Sequence, residues 1–223
     1  MDDMKTQFFN RIEAGRLLAE NLSSYANRED VIVLALPRGG VPVAAEVAKR
    51  LDVPLDVFVV RKLGLPGHPE LAMGAIASGG MRVFNGEVVN ALRIPDEVID
   101  AVSAEELVEL QRREKAYRAD RPPLEVEGKT VIVVDDGVAT GSTMLAASSA
   151  LRQLNAARII IAAPVVAAST YGEMQGAADE VTAVVVPEHF YAVGQWYEDF
   201  SETSDEEVRE LLAQAASQHP VQV

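Results

Sequence analysis

Cysteine is absent from all 223 residues, which removes disulfides, thiolate nucleophiles and cysteine-ligated zinc together. Such a chain suits a reducing compartment, and a cytoplasmic location is the expectation. Positive charge is scarce as well. Twenty Lys+Arg against 34 Asp+Glu leave a formal charge of −14, a field that repels a nucleic-acid backbone unless a local basic stripe overcomes it, so no nucleic acid is expected as a partner. Nor is a membrane expected, because no apolar run approaches spanning length and the opening MDDMKTQFFNRIEAG carries charges where a secretory signal needs an apolar core. Hydrophobic residues, by contrast, make up 48% of the chain beside 24% charged ones. That content rules out a disordered chain and is enough for the core of a single domain over 1–223.

Apolar residues from Phe8 through Ile12, Leu17, Leu18 and Leu22 recur at helical spacing and predict an N-terminal amphipathic helix. Five short runs without polar alternation follow, at 31–36, 55–60, 131–134, 158–163 and 181–186, as expected of strands covered on both faces. Helical patterns fill the intervals 41–51, 143–154 and 168–178. Strand and helix in repetition predict right-handed crossovers and an α/β fold: a mainly parallel, roughly five-stranded sheet flanked by helices.

The interval 61–130 is too long for one crossover and reads as an insertion that covers a site. Gly79-Gly80 between Leu71–Ala77 and Met81–Phe84 predicts a hairpin. Ser103 with Glu106 predicts a capping box ahead of a charged helix reaching about Arg118, ended by Arg121-Pro122-Pro123. Residues 187–223 are expected to form a small C-terminal hood and a helix, with Ser204 and Glu207 as a second capping box before Val208, Leu211 and Leu212, and then a frayed tail.

The stretch from Val131 to Thr143 carries the most chemistry. An apolar strand ends in Asp135 and Asp136, and a turn of Gly137, Val138, Ala139, Thr140, Gly141, Ser142 and Thr143 leads straight into a helix. Open amides, hydroxyls and the positive end of a helix then share one small volume, which is how a phosphate monoester is held. The two acids cannot serve the phosphate. At the C-terminal end of a strand they can accept hydrogen bonds from sugar hydroxyls, or help hold Mg²⁺ directly or through water. Phosphate beside a diol points to ribose 5-phosphate; the plain alternative is an ordinary strand–turn–helix connection.

These thirteen residues resemble the signature of the type I phosphoribosyltransferases: four apolar residues, two acids, two variable residues, a small residue or acid, then Thr, Gly and Ser or Thr. Gly137 departs from it, since relatives usually carry an apolar residue there. The resemblance implies a donor, 5-phosphoribosyl 1-pyrophosphate, a nitrogenous base as acceptor, Mg²⁺, and release of pyrophosphate. It implies that residues 135–143 bind the ribose 5-phosphate and that the loop after the first strand, with Arg38, Gly39 and Gly40, binds pyrophosphate. Arg61 and Lys62 close the second predicted strand and would bring two more cations to that edge. The breaker-rich segment from Leu63 to Glu70 resembles the mobile loop that closes over the substrate in this family; within it, His68 and Glu70 read as surface residues. No residue stands out as a general base.

The dense aromatic cluster Phe190, Tyr191, Trp196, Tyr197 and Phe200 follows the last strand in a chain with only 5% aromatics. Trp196 and Tyr197, then Phe190, are the candidates for stacking on the acceptor. Ala139 replaces the aspartate usual in hypoxanthine and guanine enzymes, and the pattern is closer to adenine enzymes, but no known acceptor loop is matched. The base therefore stays open. Two other readings stand beside transfer: a non-catalytic nucleotide- or donor-binding regulator on the same fold, and a metal-dependent phosphate ester hydrolase. A homodimer is what related proteins suggest.

Overall fold

All five residues of β1 (Val31–Ala35) and all five of β6 (Thr130–Val134) are buried. Such strands need a layer of helices on each face, and the computed structural model, which describes residues 7–119 and 121–219, has both layers. With β2 (Leu55–Val57), β7 (Arg158–Val165) and β8 (Glu180–Val185) they form a five-stranded parallel sheet in the order β2-β1-β6-β7-β8. Strand alternation divides the core. Val33 pairs with Ile132 and Ile132 with Ile160, facing α1 (Arg11–Asn21), α2 (Gly40–Leu51) and α7 (Asp205–Gln218). The next row, Ile32, Val131 and Ile159, faces α5 (Ser142–Gln153) and α6 (Ala168–Ala177). Sequence periodicity predicted these strands and helices to within a few residues.

The interval after β2 departs from the reading in three ways. The second predicted strand, 55–60, ends at Val57, because the following residues are tied to a different partner: Val59 accepts from the Ser78 amide at 2.8 Å and donates to Ser78 Oγ at 2.9 Å. From there β3 (Val60–Leu65), β4 (His68–Ala77) and β5 (Met81–Phe84) form a separate three-stranded antiparallel sheet. The breaker-rich segment is therefore not a loop but strand, tight turn and strand, with Leu65 opposite His68 and Gly67 at φ +80°. Only the second hairpin, at Gly79-Gly80, was legible. Finally, the charged helix α4 (Asp96–Arg118) starts seven residues before Ser103, following a short α3 (Gly86–Leu92). Pro95 sets its start, Asp96 and Glu97 lie on its first turn, and Ser103 is buried inside it.

The Ser204 box is present: its side chain accepts from the Glu207 amide at 3.1 Å. The frayed tail and the charged opening residues lie outside the described residues. Among the described residues, no helix is long and apolar enough to cross a membrane.

Candidate functional site

β1 and β6 run side by side and end together, the Leu36 amide donating to the Val134 carbonyl at 2.9 Å. Their following loops therefore emerge at one point of the sheet edge, where open α/β sheets place ligands. The contact between the loops is so close that side chains are excluded. A Cβ at Gly39 would fall on the Asp136 carboxylate, and one at Gly40 would stand 2.7 Å from the Val134 carbonyl oxygen and 2.9 Å from Asp135 Cα. The peptide bond from Pro37 to Arg38 is cis. Gly39 and Gly40 are thus brought against the acid pair.

The loop after β6 is pinned from below. The Val138 amide donates to Val165 at 2.8 Å, the Ala167 amide to Val138 at 2.9 Å, and Thr170 Oγ1 to the Ala139 carbonyl at 2.5 Å. Above these anchors Ala139, Thr140, Ser142 and Thr143 are exposed, with Thr140 Oγ1 and Ser142 Oγ 3.4 Å apart. Gly141, at φ +74°, turns the chain into α5, and a Cβ there would meet Thr170 Cγ2 at 2.6 Å. No side chain caps α5; its first internal bond runs from the Leu145 amide to Gly141. An uncapped helix start between two hydroxyls offers an anion unsatisfied amides and a favourable dipole.

Two half-buried acids side by side titrate abnormally. Burial raises the Asp135 carboxyl well above the usual range and the Asp136 charge adds to it, while a 2.9 Å hydrogen bond from the Asp136 amide to Asp135 Oδ1 opposes the rise. Burial also raises Asp136, and Arg11 holds it down. Arg11 Nε donates to Asp136 Oδ2 at 2.8 Å. Sequence reading missed this residue: it belongs to the polar face of an amphipathic helix and meets its partner 125 positions later. Thr170 escaped notice for the same reason.

The predicted cations are placed differently from one another. Arg38 follows β1 as expected, but its guanidinium pairs with Glu202 and lies 3.6 Å from Asp205, at the start of α7. Arg61 and Lys62 do not close a parallel strand; they are neighbours on β3, whose alternation turns them to opposite faces. Arg61 is held by Glu106 of α4 at 2.7 Å, and Lys62 Nζ lies 3.6 Å from Glu70. His68 and Glu70 are exposed, as read.

The hood is built from both ends of the chain. Phe8 forms a parallel bridge with Tyr197, donating to Trp196 at 2.8 Å and accepting from Glu198 at 2.9 Å. Trp196 and Tyr197 are buried with Phe8, Ala14 and Val165 in a small core, so their rings pack inside the protein instead of standing open. Phe190 is half-buried and stacks on Trp196, centroids 6.4 Å apart. The unusual Gly137 also belongs to this junction. A Cβ there would meet Val193 Cγ1 at 2.5 Å, so the hood's valine fills the space that a side chain at this position would need.

Comparison with known proteins bears on what this corner does. The family described as "Phosphoribosyl transferase domain" matches residues 6–72 and 70–201. Two Mycobacterium tuberculosis proteins, from strains CDC 1551 and H37Rv and both named "Putative phosphoribosyl transferase", are 46% identical over 208 residues. That alignment covers 93% of this chain but 47% of theirs, so the chain spans about half the length of these relatives. The crystal structure of the protein TT1426 from Thermus thermophilus is 41% identical, with a TM-score of 0.83 over 93% of this chain and 98% of that one.

Proposed function

Because the chain belongs to the phosphoribosyl transferase family, we propose that it transfers ribose 5-phosphate from 5-phosphoribosyl 1-pyrophosphate to a nitrogen of a base, releasing pyrophosphate. One observation carries the reading: a pair of half-buried acids packs against a glycine loop at the sheet edge, and the same turn runs on from those acids into an uncapped helix start. In this proposal Thr140, Gly141, Ser142 and Thr143 hold the 5-phosphate. Asp135 and Asp136 accept from the ribose hydroxyls, and the amide of Gly39 serves the leaving pyrophosphate, with Gly40, whose amide donates to the Leu36 carbonyl at 3.2 Å, keeping the loop free of side chains there. Arg38 would join them by leaving Glu202, and Lys62 by leaving Glu70; Arg61, engaged with Glu106, contributes less.

The donor set suits Mg²⁺. Asp135 engages Oδ1 and Asp136 engages Oδ2 within the protein, so each carboxylate has a second oxygen to offer. Among the described residues no cluster of three or more acids or histidines could enclose an ion alone. Mg²⁺ commonly uses one or two carboxylates and takes its other ligands from substrate oxygens and water. When bound, it would neutralise charge on the departing pyrophosphate. The residues themselves then orient the sugar and stabilise the cationic character that develops at its anomeric carbon, without supplying a nucleophile. Phe190, half-buried and stacked on Trp196, is the proposed face for the base, backed by Trp196 and Tyr197. A cysteine-free chain suits the cytoplasm, where such donors and bases occur.

The test is to incubate the protein with donor, Mg²⁺ and a panel of bases and to follow pyrophosphate. Release that depends on a base supports transfer. Release without a base would make the protein a hydrolase, and saturable donor binding without release would make it a sensor.

A further inference from the structure

Arg11 lies on the first turn of α1, and its guanidinium is fixed on several sides at once. Nε donates to Asp136 Oδ2 at 2.8 Å and Nη1 to the Ser201 carbonyl at 2.7 Å. Its central carbon stands 4.0 Å from the centroid of the Phe200 ring and 5.9 Å from that of Tyr197. Tyr197 completes the arrangement by donating its hydroxyl to the Asp136 carbonyl at 2.5 Å. The side chains of the pair are 11% and 13% exposed, so water screens them far less than a surface ion pair.

The oxygen that Arg11 holds is also the one turned toward Gly39, where a Cβ would fall on Oδ2 and stand 3.3 Å from Oδ1, and the bare Cα there is no polar partner to set the carboxylate's angle. A planar guanidinium held by a carbonyl and a ring face does set one. We propose that Arg11 is the positioning residue for Asp136: it holds the carboxylate in the orientation that receives a ribose hydroxyl and touches no substrate atom itself. The inference rests on the ribose 5-phosphate reading given above. A mere staple between helix and loop would not need a charge, since a buried ion pair is often replaced by apolar groups without loss of stability. Here the charge meets one of the two acids proposed to receive the sugar, and it engages Oδ2 while leaving Oδ1 to accept.

Calorimetric titration of ribose 5-phosphate, its 2-deoxy and 3-deoxy analogues and inorganic phosphate into wild type, R11M, R11K, D136N and R11M/D136N tests this. R11M is expected to lose about ten- to hundredfold in ribose 5-phosphate affinity, the range of a hydrogen bond to a charged group. It should also lose the preference for ribose over one deoxy analogue while binding inorganic phosphate as wild type does. R11K, with the charge but not the fork, should recover part of that preference, and R11M/D136N should bind no more weakly than D136N. Arg11 variants that keep the full sugar preference, or losses that add in the double variant, would overturn the positioning role while leaving the corner intact. A wild type that binds ribose 5-phosphate no better than phosphate would overturn the corner reading and this one with it. Should R11M fail to fold, R11K and R11K/D136N carry the same comparison.

Discussion

The carboxylate of Asp136 occupies the space in which a Cβ on Gly39 would have to stand. Two loops that are 97 residues apart in sequence thereby share one surface, and the side chain of one is shaped by the lack of a side chain on the other.

Gly39→Ala is expected to push Asp136 off this position. Because the clash is with a carboxylate buried beside Arg11, the rearrangement should cost about 1–3 kcal/mol and lower donor affinity at least tenfold. Thermal unfolding and donor titration of the same variant measure both effects; an alanine tolerated in both would remove the close approach from the site.

Asp135→Asn should raise stability at neutral pH while impairing donor binding. The native carboxyl has a raised pKa, so the folded state binds its proton more tightly than the unfolded chain, whose Asp titrates near 4. Its contribution to stability is thus fully present below about pH 4 and is lost as pH rises through the native pKa. Asparagine does not titrate. The variant's advantage should be smallest in acid and grow to a plateau toward neutrality, as melting curves across pH will record.

Gly137→Val should destabilise the protein by about 1–3 kcal/mol, because Val193 already fills that space. Val193→Ala in the same chain should recover most of the loss. If the two changes add instead, the residues do not share one cavity.

Trp196→Ala and Phe190→Ala separate packing from stacking. Trp196 is 5% exposed, and its truncation is expected to cost about 3 kcal/mol, near the low end for an aromatic because its core is small. Phe190 is half-buried, so its loss should raise the KM of the acceptor more than it lowers Tm. The reverse pattern would transfer the stacking role to Trp196.

Ser103→Ala should stabilise. The hydroxyl is buried within α4 without a hydrogen-bond partner, and alanine has the better helix propensity, so a gain of about 1 kcal/mol is expected. For a chain of this size that is a rise in Tm of about 2–4 °C.

Ser103 also shows where sequence reading stops. A Ser three residues before a Glu looks the same at a helix start and inside a helix, and only Pro95, eight positions earlier, marks the true beginning. The parallel sheet was legible because strands buried on both faces leave unbroken apolar runs, and the acid pair was legible because its whole turn is contiguous. β3 was not, since Gly64 and Pro66 read as breakers while the hydrogen bonds that make Val60–Leu65 a strand come from residues that follow it in a hairpin. Arg61 and Lys62 illustrate the cost: read as the close of the second strand they reach one sheet edge together, as neighbours on β3 they point apart. Arg11, Thr170 and Val193 reach the site only through tertiary contact, and no local pattern distinguishes them from other residues of their segments.

The bridge between Phe8 and Tyr197 closes a circuit of about 190 residues, a long stretch of chain to bring together for a single ladder contact. The roof over the acids is therefore fastened by a contact between segments distant in sequence, whereas the floor is fastened by the strands that lie between them. The hood's attachments, the bridge from Phe8 to Tyr197 and the bonds of Arg11 to Asp136 and Ser201, thus lie outside the ladders that set the register of the sheet.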